Sequence, residues 1–194
     1  MSHSISSFIG KFQGGFRPNR FRVTGQVGVG MPTSEFHIKS ASLPGSTIST
    51  LQIPYRGRFF KLPGNRLYDP WTITVLDDKP SSTNGAANSG LWGAFHAWSE
   101  QFNHHDTNEI DSAIATNFGA QPQTSTGTIT DDKGMISWTV NQLDIKGVVT
   151  KTITLQNCWP RKVGAIVLSM DNNEELITFP VTLSYQYISI TGVN

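Results

Sequence analysis

The stretch VLSMDNNEELITF at 167–179 gathers Asp171, Asn172, Asn173, Glu174 and Glu175 between two apolar runs. A calcium ion takes about six to eight oxygen ligands, so such a stretch invites a metal reading. An EF-hand-type loop needs Gly at its sixth position and Glu at its twelfth. Counted from Asp171, those positions hold Leu176 and Thr182, and the spacing fails. A looser group of Asp171, Glu174 and Glu175 keeps the oxygen chemistry. The same residues are better explained as a turn between two strands, because Asp and Asn bond their own backbone and tolerate turn geometry. The turn is the reading carried forward.

Other chemistry is sparser. His104, His105 and Asp106 are the one His-rich cluster, but neighbours in an extended chain point to opposite sides, and a solvated loop accounts for them. GQVGVG at 25–30 has the wrong order for a dinucleotide fingerprint and leads into Pro32 and a strand. No G-x-S-x-G, P-loop or H-E-x-x-H pattern occurs. The single cysteine, Cys158, beside Trp159, reads as a small buried hydrophobe. No catalytic, cofactor-binding or metal-ligating residue is assigned, and no enzymatic activity is expected.

Two features remain. In IPYRGRFFKLPGNRLYDPW (53–71), Arg56, Arg58, Lys61 and Arg66 interleave with Tyr55, Phe59, Phe60 and Tyr68. Bases stack on aromatic rings while cations neutralise phosphates, so a single nucleic-acid strand would fit. Arg and aromatic residues are also enriched in protein interfaces, so an exposed hairpin docking on a protein fits as well. The residues alone leave both readings open. The second feature is a set of uncharged polar positions opposite apolar ones: Thr72, Thr74, Thr150, Thr152, Thr154, Gln156, Thr182, Ser184 and Gln186. Threonine is a good strand former in its own right. Yet a solvent face ordinarily holds more Lys and Glu, and a wet, uncharged face also suits a wall past which a polyanion must slide.

The elements that position these residues are mostly strands. Period-two alternation runs through NRFRVTGQVGV, EFHIKSA, WTITVL, ISWTV, VTKTITLQN, GAIVLSM and FPVTLSYQY, with a turn expected at Lys146-Gly147. With the basic-aromatic hairpin this makes about eight strands, mostly antiparallel because the connections are short. One helix interrupts them: Leu91, Phe95, Trp98 and Phe102 recur at helical spacing, with Ser89 as the expected N-cap. The stretches 77–90 and 103–134 read as polar loops, the second as a surface insertion.

The chain of 194 residues is expected to form one domain, burying roughly 70% of its unfolded surface. Lys plus Arg number 15 against 14 Asp plus Glu, and charged residues are 15% of the chain. About 25% is usual. Tight nucleic-acid binding needs a positive surplus placed on phosphates, which this balance does not provide. No signal peptide or membrane-length apolar run is seen, so the chain is expected to stay soluble where it is made.

RPNRFRV (17–23), KSASLPG (39–45), IPYRGRFFKLPGNRLYDPWTITVLDD (53–78), Phe95 with Trp98, and KTITLQNCWPRKVGAIVLSMDNNEELITFPVTLSYQY (151–187) together resemble the tail tube proteins of contractile-tailed, T-even-like bacteriophages. The resemblance implies a non-enzymatic virion protein. Its fold would be all-β with one flanking helix, two packed antiparallel sheets, and inner strands completed into a continuous barrel in a hexameric ring. Rings would stack into a tube within a sheath, nucleated on a baseplate, with a lumen that holds the tape-measure protein and passes DNA. Assembly would take place in the bacterial host cytoplasm, with no membrane partner. The whole chain, 1–194, would be a single tail-tube domain carrying the insertion at about 103–134.

On this resemblance Tyr55, Arg56, Gly57, Arg58, Phe59, Phe60 and Lys61 form a hairpin used within and between rings, which favours protein docking over strand binding. The nine uncharged polar residues are our candidates for the lumen face. The turn at Asp171, Asn172, Asn173, Glu174 and Glu175 would meet basic residues of a neighbour, such as Arg161 and Lys162. The pre-helix loop lacks the charges expected of the family and 103–134 matches it poorly, so the resemblance does not extend to sheath contacts. The alternatives are a tube subunit of a phage-derived contractile injection system and, from another class, a glycan-binding β-sandwich.

Overall fold

The structure is a computed structural model that describes residues 5, 17–27, 31–33, 37–77, 90–110, 134–170 and 175–192. Its strands are β1 (Phe21–Val27), β2 (Met31–Thr33), β3 (Ile38–Ala41), β4 (Ser46–Tyr55), β5 (Arg58–Tyr68), β6 (Trp71–Leu76), β7 (Ile136–Leu143), β8 (Val149–Val163), β9 (Thr178–Ser184) and β10 (Tyr187–Gly192). One helix, α1 (Gly90–Glu100), lies between β6 and β7. Every strand pair is antiparallel.

β8 organises the molecule. Its first half lies between β7 and β10, while its second half pairs with β9. Between the halves Asn157 adopts a left-handed backbone, with φ of 55°, and the registers on both edges shift nearby. Such a bend lets one strand serve two sheets. The first sheet runs β2-β1-β7-β8-β10, the second β8-β9-β6-β3. β9 and β10 follow the same edge of β8 in succession, and across their junction the Gln186 N–H donates to the Gln156 carbonyl at 3.0 Å.

Alternation sends one face of each sheet into a shared core. Val23, Trp138, Val140, Ile153 and Leu155 come from the first sheet, and Trp71, Ile73, Val75, Phe179, Val181 and Leu183 from the second. Trp71 and Trp138 meet edge to face, with centroids 5.9 Å apart. Phe95 of α1 reaches both layers, 6.3 Å from Trp138 and 6.0 Å from Phe179. Burial of a Phe side chain contributes about 1.5–3 kcal/mol, so this aromatic cluster is a main tie between helix and sheets.

The expected stripe of Leu91, Phe95 and Trp98 is buried, and Phe102 packs on the core from the turn just past the helix. Ser89 lies outside the described residues. Asp77, at the end of β6, caps the helix instead: its Oδ1 accepts from the N–H groups of Leu91 at 2.9 Å and Trp92 at 3.3 Å. Two of the helix's orphan donors are thereby satisfied from the preceding strand. The Lys146-Gly147 turn is as expected, with Gly147 at φ 79° and Asp144 Oδ1 accepting from the N–H groups of Lys146 and Val148.

The apolar run GAIVLSM is not a strand. Gly164 N–H donates to the Pro180 carbonyl at 2.7 Å, and beyond it residues 165–170 take irregular backbone. A short apolar run suits burial of any kind, so composition alone does not make it a strand. At the other end, β9 stops at Ser184, so Gln186 sits in a bend rather than in a strand.

Gly25 faces the Trp138 ring so closely that a Cβ there would collide with Cδ2, Cε2 and Cε3. Because Trp138 is fully buried and cannot swing away, Gly25→Ala is expected to cost about 1–3 kcal/mol, measured by urea unfolding. An unchanged midpoint would show that the ring is free to move. Cys158, also fully buried, has its thiol pushed up to about 12 by burial. At pH 8 the thiolate fraction is then about one in ten thousand, so a disulfide reagent should leave the folded protein untouched and titrate one thiol after denaturation.

Candidate functional site

The outward face of the first sheet is a ladder of hydroxyls and amides. In one rung Arg22, Asn141, Thr152 and Thr191 stand side by side; in the next come Thr24, Thr139, Thr154 and Ser189. A third is formed by Ser137, Gln156 and Tyr187. Hydrogen bonds fix these side chains to one another: Thr152 Oγ1 donates to Asn141 Oδ1 at 2.9 Å, and Ser137 Oγ to Gln156 Oε1 at 2.7 Å. Thr150 Oγ1 donates to the Gln142 carbonyl at 3.0 Å. Across the three rungs Arg22 carries the one formal charge.

The other members of the uncharged set lie elsewhere. Thr72 and Thr182 share a hydrogen bond at 3.2 Å, Ser40 Oγ donates to Thr74 Oγ1 at 2.9 Å, and Ser184 ends β9. These residues point outward from the second sheet. Since both sheets turn their inner faces to one core, the two hydroxyl groups look out through different layers. The nine residues therefore divide into Thr150, Thr152, Thr154 and Gln156 on one face, Thr72, Thr74, Thr182 and Ser184 on another, and Gln186 in the bend. Residue types alone concealed Ser137, Thr139, Asn141, Ser189 and Thr191; their membership follows from strand register.

β4 and β5 form a two-stranded sheet of their own that joins neither main sheet. Their turn is Arg56-Gly57, with φ of 44° and 78°, the double left-handed geometry of a type I′ hairpin. Ten residues of strand extend about 30 Å. Register pairs Leu51 with Leu62 and Ile53 with Phe60 on one side, with Tyr55 and Arg58 at the tip. The Arg56 guanidinium lies 5.5 Å from the Tyr55 ring centre. Phe59 and Phe60 are 65% and 61% exposed, and Leu51, Ile53 and Tyr55 are exposed too. A free hairpin is marginal in water, so an apolar arm of this length calls for a covering surface. All seven residues 55–61 lie on this arm.

Asp171, Asn172, Asn173 and Glu174 fall outside the described residues; Glu175 is exposed. The flanks of that turn are apolar and open, with Val167 at 87%, Leu168 at 78% and Met170 at 96% exposure. With Glu175, Leu176 and Ile177 they border a hollow of about 640 Å³. His105 Nδ1 bonds Glu100 Oε2 at 2.8 Å, and that contact raises the His105 pKa and lowers that of Glu100. The His cluster thus ties off the end of α1, and among the described residues no group of three or more His, Cys, Asp or Glu is placed to hold a metal.

A family model described as phage tail tube protein matches residues 20–191. The tail tube protein gp19 of Enterobacteria phage T4 is 25% identical over 171 residues, covering 88% of this chain and 89% of its own. A tail tube protein of Serratia phage KSP90 is 23% identical over 146 residues, covering 75% and 68%. Among solved structures, a chain of the six-fold symmetrised anti-feeding prophage baseplate aligns with a TM-score of 0.59 at 12% identity, over 93% of this chain and 98% of that one. A chain of the sheath-tube complex of an extracellular contractile injection system, in its extended state, aligns with a TM-score of 0.56 at 15% identity, over 99% and 100%. The structural likenesses establish a shared fold.

Proposed function

We propose that this chain, which belongs to the phage tail tube protein family, closes with copies of itself into hexameric rings that stack as the tube of a contractile tail. The role is structural, as a virion component. The observation that carries the finer reading is the hydroxyl ladder of β1, β7, β8 and β10, bounded by two strand segments that each pair on one side only among the described strands. Among the described strands β10 pairs only with β8, and Phe21–Thr24 of β1 only with β7. Pairing β10 of one copy with β1 of the next continues the sheet, and a head-to-tail contact of this kind closes a ring when the rotation allows.

Ile190 supports the same contact. Its register partner is the buried Ile153, yet Ile190 remains 61% exposed, and among the described residues no strand lies beyond it. A neighbouring copy would cover it. Such closure turns the hydroxyl ladder into the lumen wall. Cations along a bore would trap a polyanion by releasing its counterions, and carboxylates would repel it, whereas hydroxyls and amides hold water. DNA and a tape-measure protein would pass or occupy such a lumen. The tube would meet a sheath outside and a baseplate at its end, with assembly in the host cytoplasm and no membrane involved.

In this reading the whole chain is one tube domain with 103–134 as an insertion, and the β4-β5 arm docks on neighbouring copies. A tube in a phage-derived injection device is the second reading, favoured by the fold shared with a contractile injection system.

A pair of lysine substitutions tests the choice of wall. Thr152→Lys lies on the ladder and Ser184→Lys on the second sheet, and both positions are partly solvent-accessible, so both chains should fold and assemble. DNA ejection from tails built with Thr152→Lys should fall about tenfold and recover as salt screens the added cations, while Ser184→Lys ejects normally. Normal ejection by Thr152→Lys at low salt, or a defect confined to Ser184→Lys, would overturn the assignment.

A further inference from the structure

The turn between β7 and β8 carries side chains that a solvated turn has no reason to carry. Turn tips ordinarily hold Gly, Asn, Asp or Ser, yet Ile145 and Val148 stand here at 72% and 57% exposure. The turn is also well braced. Asp144 Oδ1 accepts from the N–H groups of Lys146 and Val148, the Asp144 N–H donates to the Val148 carbonyl at 2.9 Å, and the Gly147 N–H donates to the Asp144 carbonyl at 3.2 Å. An apolar knob held ready in this way loses little conformational freedom on docking.

The arm offers a matching surface. Its edges are poorly suited to pairing, because Pro54 in β4 and Pro63 in β5 lack an N–H and proline blunts an edge strand. A face is left to dock. Alternation and register put Leu51, Ile53, Tyr55, Arg58, Phe60 and Leu62 on one face, and Gln52, Pro54, Phe59 and Lys61 on the other. The first is the apolar one. Leu51, Ile53, Tyr55 and Phe60 with Ile145 and Val148 leave roughly 750 Å² of apolar surface open, from their exposures and side-chain sizes. At an interface about 57% apolar, that corresponds to roughly 1,300 Å² of total burial, enough for a specific contact between two proteins.

The two surfaces also lie at opposite ends of the first sheet. At the root of the arm Tyr68 packs on Tyr185 with ring centres 5.7 Å apart, beside Gln186, whose N–H donates to the Gln156 carbonyl. The knob adjoins Val149, where β8 begins. Seven residue steps of strand, about 23 Å, separate Gln156 from Val149.

We propose that the apolar face of one copy's arm seats on the Ile145-Val148 knob of another copy in the adjacent ring. The proposal rests on the reading of the chain as a self-assembling tube subunit and names the surface that its arm meets. Apolar burial supplies the driving force. Arm and knob are unlike patches at unlike ends, so each copy gives its arm once, offers its knob once, and the contact propagates from ring to ring. The edges of β10 and β1 close a ring; the arm and knob add the next.

The test uses assembled tubes of the full chain, in which buried Cys158 stays silent towards oxidants. Phe60→Cys combined with Ile145→Cys should give a denaturant-resistant ladder of multimers on mild oxidation, and neither single variant should. Gln52→Cys, on the opposite face of the arm, should give no ladder with Ile145→Cys. Ile145→Ser alters an exposed side chain, so its subunit should melt as the unaltered one does and still close rings, while tubes seen by electron microscopy shorten about tenfold. A ladder confined to the Phe60 pair, with short Ile145→Ser tubes, supports the contact. If unaltered tubes form but the Phe60 pair gives no ladder, or the Gln52 pair gives as strong a one, the pairing is overturned while the tube reading stands. If Ile145→Ser tubes reach full length, the knob carries no contact and the proposal falls. If the unaltered chain forms no tube even with its own assembly partners, the tube reading fails and takes the proposal with it.

Discussion

Backbone N–H and C=O groups on a strand's outer edge must find partners, and soluble proteins ordinarily blunt such edges with Lys, Pro or a covering loop. β10 runs Tyr187, Ile188, Ser189, Ile190, Thr191, Gly192, and β1 opens with Phe21, Arg22, Val23, Thr24. Most of these residues favour strands, and no proline or lysine is among them. In the proposed ring, assembly depends on those two edges pairing between copies. The apolar side chain at one of them, Ile190, is exposed. Closing the sheet between copies would satisfy the backbone and bury that side chain together.

In the proposed ring, the bend at Asn157 would decide what closure encloses. Because β8 turns there from one sheet into the other, the outward faces of its two halves belong to different surfaces. The first half shows Thr150, Thr152, Thr154 and Gln156; the second shows Arg161 and Lys162, both exposed. One strand thus carries an uncharged face and a basic end. The Trp71-Trp138-Phe95 cluster holds the layers and the helix in that relation, which is why a glycine is required at position 25 beneath the indole. The cysteine is sealed at the crossover, and the histidines near 104 bond a glutamate at a helix end.

Much of the fold was legible in the sequence because burial imposes a period. Strands such as WTITVL and ISWTV, the helix stripe and the Lys146-Gly147 turn are each set by a few neighbouring residues. The features that escaped depend on residues far apart. Asp77 caps a helix that begins at Gly90, across a long loop in sequence. The uncharged residues looked like one set because each lies opposite an apolar neighbour; only register across four strands separates the ladder from the Thr72-Thr182 face. The run GAIVLSM reads as a strand by composition, yet beyond β8 its backbone is irregular, which composition does not reveal. The arm's basic and aromatic residues were visible from the start, and what sequence lacked was their independence from both main sheets.

The central claim is that copies of the chain complete one another's first sheet around a hole walled by hydroxyls. Electron cryo-microscopy of the tube at a resolution that traces strands tests it most directly. The account predicts β10 of each subunit hydrogen-bonded to β1 of its neighbour, with Thr152 and Thr154 facing the bore. A tube whose bore is lined by Thr72 and Thr182, or whose subunits meet without a shared strand ladder, would contradict it.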